Sequence, residues 1–496
     1  MSTVNDTTAS TAANVPQQCT LPSCAEALAA LRREIDELKR LVFGQSRERQ
    51  KKMPPIAREL RGKTKPTAAE KAARHQAAQE KRAARAAKRR KLPSVDVPHD
   101  ITTCPHCQST SLVDINSPEI SIEIDYVPAH FVQKRHIRTK KKCSGCAQII
   151  VAPAPTRVTD GCHFGPALHA HAVVSKCADA LPIHRLAARF ARDGVPIERT
   201  TLNRLFHRVA DLLSPIAQRI LELVSQSARV HADETPILIQ APEKCRTGYV
   251  WTFLADKLIA YVFNASRAGK TPEDVLGGTK GYLNVDCYTG YNVVCVPDGR
   301  ERVGCMAHIR RKFFNALKTA PTDAKEALER ILSFYEVEYE AARQNILGTS
   351  KHLAMRRHLT KERMASMHTW MTERKPHHTP KSPMGQALRY ALKAWRFMKA
   401  VTDDAQVRLD NNLAENALRT IALGRKNFLF VGDETGGENL ATLQTIVSTC
   451  IASGVNPEVY IADVLLRLAN TPSSQIDALL PANWTPLNNI TTPSTD

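Results

Sequence analysis

The stretch HADETPILI, residues 231–239, reads as a buried strand carrying two acids, Asp233 and Glu234, in its middle. Val230 leads into it, and Ile237 to Ile239 close it. Carboxylates are rarely buried unless they are paired, hydrogen-bonded or bound to a metal. What this strand wants acids for decides how the rest of the chain is read.

The segments that follow alternate in character. GYVWTFLAD and LIAYVFNAS are strand-like, TPEDVLGG is a short helix, and GYLNVDCYTGYN is a strand that ends in a loop. RVGCMAHIRRKFFNAL starts as a strand and runs into a helix. Three meandering strands followed by alternating units predict a mixed sheet with helices on both faces. After Ala316 the chain is helical and polar to about residue 405, which reads as an insertion. LDNNLAENALRTIALGRKNFLF then returns to the sheet domain.

Three acids stand out in this frame. Asp233 is on the first strand, Asp286 is at the end of the fourth, and Glu415 is on the helix after the insertion. Asn411, Glu415 and Arg419 are four apart and share one helix face. In a sheet of this order the first and fourth strands are commonly neighbours, and a helix over the strand ends can add the third carboxylate. Such an all-oxygen cage suits Mg²⁺. Two such ions about 4 Å apart activate a water or a 3′-hydroxyl and stabilise the leaving oxygen of an in-line displacement. The plain alternative is three unrelated acids facing water. Glu234 points to the opposite face of a strand and is the poorer candidate for the same cage.

Composition narrows the class. The chain has 496 residues, 43% of them hydrophobic, and a net charge of +20. That length predicts about three domains with linkers. No apolar run approaches the ~18 residues of a membrane span. The polar N-terminus, MSTVNDTTASTAANVPQQ, has no signal-peptide core. A soluble, cytoplasmic protein is expected, with no membrane partner. Between Arg47 and Lys91 there are 17 Lys/Arg against 4 Asp/Glu. This segment is a solvated linker, an arm for a polyanion, or both.

The 13 cysteines of such a chain favour metal or free thiols over disulfides. Cys104 and Cys107, then Cys143 and Cys146, form a CxxC…CxxC set with a strand-like run between the pairs. Four thiolates at this spacing suit one structural Zn²⁺, against a redox pair or chance. Leu28, Leu31, Ile35, Leu38 and Val42 form an a/d stripe over about two heptads. It suits a coiled coil and hence a homo-oligomer, or a helix packed on its own domain. LPIHRLAARFARDGVPIERTTLNRLFHRV reads as helix, turn at Gly194, and second helix from Glu198–Thr200. That fits a helix-turn-helix with Arg199, Asn203 and Arg204 towards DNA. An ordinary helical hairpin has the same pattern.

HADETPILI, NVDCYTGYN, GCMAHIRRKFFNAL and LAENALRTIALGRKNFLFVGDETGGENLATL together resemble, in this order, the motifs of the insertion sequence 66 family of transposases. The FGQSRER helix, the CPHC…CSGC ribbon, LPIHRLAARFARDGVPIERTTL and GVNPEVYIADVLLRL have counterparts too, so the likeness covers about residues 25 to 470. The resemblance implies a multidomain α+β protein whose mixed α/β catalytic core is ribonuclease-H-like. It implies a DDE triad with Mg²⁺ that cleaves transposon ends and joins the 3′-hydroxyls to target DNA. Asp233, Asp286 and Glu415 match the three acids. Arg419, Arg425 and Lys426 fall where basic residues meet DNA phosphate. His308 and Arg311 lie in the matching Cys-x-Ala-His run and are assigned no chemistry. Accessory proteins of the same element are implied as partners, and association with the nucleoid when DNA is bound. One departure stands out: the family usually has Arg directly after the Glu, and this chain has Asn416.

The expected organisation is a disordered 1–20, a leucine-patterned helix 21–46, a basic arm 47–95, a zinc ribbon 100–152 and a helical segment 155–226. The catalytic domain follows at 227–445 with its insertion at 316–405, then a C-terminal helical segment 446–475 and a tail 476–496. The competing functions are a decayed transposase kept as a DNA-binding regulator, and a metal-dependent nuclease without strand transfer.

Overall fold

The computed structural model describes residues 130–142, 144, 149–159 and 161–487, together with helical residues 72, 75–80 and 83. The leucine-patterned helix, most of the basic arm and Cys104, Cys107, Cys143 and Cys146 lie outside the described residues. The chain divides into two units, 1–120 and 121–496. The sheet and the cores below belong to the second.

A small antiparallel pair comes first, β1 (Lys140–Lys142) with β2 (Ile149–Val151), one strand on each side of the CSGC stretch. Three helices follow: α1 (Pro166–Cys177), α2 (Ile183–Arg192) and α3 (Arg199–Gln226). The turn between α2 and α3 uses Gly194 at φ +83°, a conformation that costs glycine no Cβ clash. Along α3, Leu202, Leu205, Phe206, Val209, Leu213, Ile216, Ile220 and Val224 recur three or four apart and are buried. The first of these pack with α1 and α2, while those from Phe206 onward join the core of the sheet. The helical segment and the sheet therefore share one continuous helix.

The main sheet consists of β3 (Arg229–Ile239), β4 (Arg246–Ala255), β5 (Leu258–Asn264), β6 (Gly281–Asn284) and β7 (Arg300–Val303), with α4 (Lys270–Leu276) between β5 and β6. Its order is β5-β4-β3-β6-β7. β3, β4 and β5 are antiparallel in sequence, whereas β6 runs parallel to β3 and β7 parallel to β6. The first and fourth strands of the sheet are thus neighbours. This is a mixed sheet in a chain rich in helices, an α+β arrangement as expected.

From β7 the chain enters a second helical body. It holds α5 (Met306–Ala316), α6 (Pro321–Arg343), α7 (Ser350–Met355), α8 (Lys361–Arg374), α9 (Pro383–Trp395) and α10 (Ala400–Asp403). All of these helices but α7 contribute to a separate apolar cluster, which runs from Val303 to Leu409. The ends of this body are stitched together. Gly304 N–H donates to Phe397 O at 3.1 Å and Met306 N–H to Leu409 O at 2.9 Å. The chain then returns through α11 (Asn412–Phe428), β8 (Phe430–Val431), α12 (Glu434–Ser453) and α13 (Pro457–Arg467). β8 pairs with the far end of β3, at Leu238 and Ile239. α12 stops at Gly454, whose left-handed φ of +77° lets its N–H cap the helix.

β3 changes character along its length. Val230 to Ala232 are all buried, as for a central strand covered on both faces. From Thr235 the pattern alternates, with Thr235, Ile237 and Ile239 buried and Pro236 and Leu238 exposed. Asp233 and Glu234 sit at the transition.

Candidate active site

β6 pairs with β3 only as far as His231 opposite Asn284. Two residues further on, at equivalent positions, come Asp233, still paired with Thr252 of β4, and Asp286, near enough for its charge to act on Asp233. Beyond the ladder a side chain takes over from β6. Asn411, at the start of α11, donates through Nδ2 to Ala232 O at 2.8 Å, and its Oδ1 lies 3.0 Å from His231 Nδ1. An amide oxygen only accepts, so His231 carries its proton on Nδ1. Burial pushes the His231 pKa down to about 4, which keeps the ring neutral. Asn284 ties the same segment from the other side, donating to Arg408 O at 3.2 Å and Asp410 O at 3.1 Å. The Asn411 N–H points at Cys305 Sγ, 3.2 Å away. The segment 408–411 that leads into α11 is therefore fastened to β3, β6 and the residue before α5.

This fastening places Glu415, in the first turn of α11, towards the two aspartates. The first turn is where helix N–H groups favour negative charge. Asp233 registers the result. Burial, then the charge of Glu234, with Asp286 and Glu415 adding, pushes its pKa up to about 7. Its Oδ1 accepts the Glu234 N–H at 3.0 Å, and Asp286 Oδ1 accepts the Tyr288 N–H at 2.8 Å. Among the described residues no Lys or Arg forms an ion pair with Asp233, Asp286 or Glu415. His308 Nδ1 lies 3.4 Å from Glu415 Oε1 without a hydrogen-bonding alignment. Burial and then Arg311 hold the His308 pKa below its ordinary value. Donor atoms of Cys305, His308 and Glu415 come within 4.8 Å of one another. Burial pushes the Cys305 thiol up to about 12, and Sγ already faces the Asn411 N–H. Oxygen ligands at the acids are the better donor set.

The basic residues singled out in the sequence fall in two places. Arg199, Asn203 and Arg204 are exposed on the first two turns of α3. Arg419 and Lys426 are exposed on α11, as is Asn416. Arg425 is different. Its Nη1 donates to Thr235 Oγ1 at 2.8 Å and Pro236 O at 2.6 Å, in the gap between where β6 and β8 pair with β3. Strand N and O atoms of one residue point the same way, so the missing N–H of Pro236 faces this gap and no ladder bond is lost.

Sequence reasoning missed Asn411 as a fastening residue and set Glu234 aside. The Glu234 side chain is only 3% exposed and its two oxygens bind Arg267 and Tyr291. Neither role has a short-range signal, because each depends on partners distant in sequence.

Residues 161–439 match the Transposase IS66 family, 445–482 match the IS66 C-terminal element, and 102–147 match the zinc-finger binding domain of transposase IS66. The chain belongs to the IS66 transposase family. Two relatives are from Sinorhizobium fredii (strain NBRC 101917 / NGR234). Uncharacterized protein y4hP is 31% identical over 409 residues, covering 77% of this chain and 73% of its own. Uncharacterized protein y4jD is 32% identical over 382 residues, covering 73% and 74%. The IS66 match contains every element from α1 to β8, and so all three acids. The zinc-finger match contains Cys104, Cys107 and Cys143, and also Cys146.

Proposed function

We propose that this IS66 family member is a DDE-type DNA transposase that cleaves transposon ends and joins the 3′-hydroxyls to target DNA. The observation that carries the reading is the convergence of Asp233, Asp286 and Glu415, from β3, the end of β6 and α11, with no Lys or Arg paired to them among the described residues. A sheet in the order β5-β4-β3-β6-β7, with only β4 reversed, supports a ribonuclease-H-like core.

The donor set fits Mg²⁺, which prefers oxygen ligands and keeps positions open for phosphate oxygens. Asp233, Asp286 and Glu415 would hold it, as two ions. Bound there, it supplies a Lewis acid for the attacking water or 3′-hydroxyl and for the leaving oxygen. The chain's own contribution is placement. Asp233 and Asp286 are set by the parallel register, and Glu415 by the Asn411 and Asn284 contacts. The exposed Arg419 and Lys426, and Arg199, Asn203 and Arg204 on α3, are proposed to bind DNA. Arg425 acts here by seating α11, so any phosphate contact it makes is shared with β3. Cys104, Cys107, Cys143 and Cys146 are proposed to hold one structural Zn²⁺. Residues 21–46 are proposed to join copies of the chain, with accessory proteins of the element as further partners. Among the described residues no helix is long and apolar enough to cross a membrane. We read the protein as cytoplasmic and nucleoid-associated when on DNA.

The test is transposition of a mini-element with native ends in cells, with accessory genes supplied. Movement by the wild type that disappears in Glu415→Ala supports the reading. Movement undiminished in Glu415→Ala, and in matching variants of both aspartates, overturns it. Movement only in Asn416→Arg favours a decayed copy, which the unusual Asn416 makes a specific second reading.

A further inference from the structure

We propose that Glu234 is a positioning residue that clamps residues 286–291 to β3 and so fixes where the Asp286 carboxylate points. The inference rests on the reading of Asp233, Asp286 and Glu415 as the metal-holding acids.

Glu234 follows Asp233 and faces the other side of the strand. Its Oε1 accepts from Arg267 Nη2 at 2.6 Å and Nε at 3.0 Å, and its Oε2 accepts from the Tyr291 hydroxyl at 2.7 Å. Both oxygens are turned to these donors and away from a cage shared with Asp233. Both donors lead to the segment carrying Asp286. The Arg267 guanidinium lies over the Tyr288 ring, 4.1 Å from its centre, and the Tyr288 hydroxyl donates back to Arg267 O at 2.5 Å. The Tyr288 N–H in turn donates to Asp286 Oδ1. The contacts run from Glu234 through Arg267 and Tyr288 to Asp286, with Tyr291 as a second arm.

Tyr291 is buried, and its ring meets Trp251 and Tyr288 nearly edge-on, at 5.7 and 6.1 Å. The two loops approach backbone to backbone. A Cβ on Gly269 would come within 2.7 Å of Gly290 O. Only glycine fits at such an approach. The clamp has a job because the sheet does not do it. β6 ends at Asn284, and the last backbone bond on that side is Val285 N–H to Val303 O at 3.1 Å. Asp286 lies beyond it, and a displacement of about 1 Å at a reacting centre can cost roughly 100-fold in rate.

The test uses the purified full chain with Mn²⁺ as the probe. Binding is measured by calorimetry. Nicking is followed on a supercoiled plasmid that carries the DNA flanking the coding sequence. Tyr291→Phe and Glu234→Gln are compared with wild type and with Asp286→Asn. For both clamp variants the Mn²⁺ needed for half-maximal binding and nicking is expected to rise about tenfold, as for other outer partners of metal ligands. Saturating Mn²⁺ should restore their nicking, which a merely structural defect would not allow. Asp286→Asn should stay inactive at any Mn²⁺. Unchanged metal dependence in folded clamp variants overturns the proposal, and so does a loss that Mn²⁺ does not restore. If Glu234→Gln fails to fold, Tyr291→Phe, which removes one hydroxyl, decides alone. Wild-type binding and nicking by Asp286→Asn would instead remove the underlying reading of the acids.

Discussion

His231 and Asn411 are 180 residues apart in sequence and meet at 3.0 Å. Through this contact and the bond to Ala232 O, one amide side chain joins the strand of Asp233 to the helix of Glu415. Asn411→Ala leaves Ala232 O and the His231 ring unsatisfied in a buried place. It should destabilise the protein by about 1–3 kcal/mol and depress strand transfer beyond what the lost stability explains. Urea unfolding and a joining assay check this. Full strand transfer in a stable Asn411→Ala protein would show that Glu415 is placed without it.

Asp233→Asn removes a buried charge that Glu234, Asp286 and Glu415 repel. The metal-free variant is therefore expected to melt no lower than the wild type. Mg²⁺ should raise the melting temperature of the wild type and leave the variant unmoved, and a chelator should reverse the wild-type shift. An equal Mg²⁺ shift in both proteins would mean that the cation binds elsewhere.

Asn416 is exposed one residue after Glu415. Arg is accommodated there without burial, so Asn416→Arg should change stability by less than about 0.5 kcal/mol. It should tighten DNA binding with a steeper salt dependence. Binding isotherms at two salt concentrations test this, and an unchanged salt slope counts against phosphate contact at this position.

Metal analysis of the intact chain should find about one zinc per molecule, lost when Cys104 and Cys143 become Ser. No zinc in a freshly purified, reduced preparation would remove the ribbon. The seven described cysteines outside this set are all free, with Cys177, Cys305 and Cys450 buried as small apolar side chains.

His352 is buried in the helical body, with Nδ1 accepting the Gly348 N–H at 3.2 Å and Nε2 3.2 Å from Glu338 Oε1. Burial, then the Arg356 charge, holds its pKa below 6.5. The neutral ring therefore contributes stability that is complete above pH 6.5 and is lost as pH falls through the folded-state pKa. His352→Gln should flatten this part of the melting-temperature profile. A profile identical to wild type between pH 7 and 5 would rule out His352 as its source.

Much of the core was legible because it is written in short-range patterns. The alternating runs set the strand order, and that order made β3 and β6 neighbours and brought Asp233 beside Asp286. The turn at Gly194 and the start of α3 were readable from one glycine and a change of phase. What α3 packs on was not, since an apolar stripe does not name its partner. Arg425 looked like a free cation because its acceptors, Thr235 and Pro236, lie on a distant strand. Glu234 was judged by strand alternation alone, which gave its direction but not Arg267 and Tyr291 waiting there.

The stitched neck at Gly304–Phe397 and Met306–Leu409 has a consequence for biosynthesis. A nascent chain that has cleared the ribosome only as far as β7 already holds Asp233 and Asp286, but not the helix that completes their cluster. The intervening body must be made and its two ends brought together before Asn411 can reach Ala232. Assembly of the acids is thus a late, long-range event in folding. A truncated translation product that stops inside the helical body lacks Glu415 and so leaves the cluster of acids incomplete.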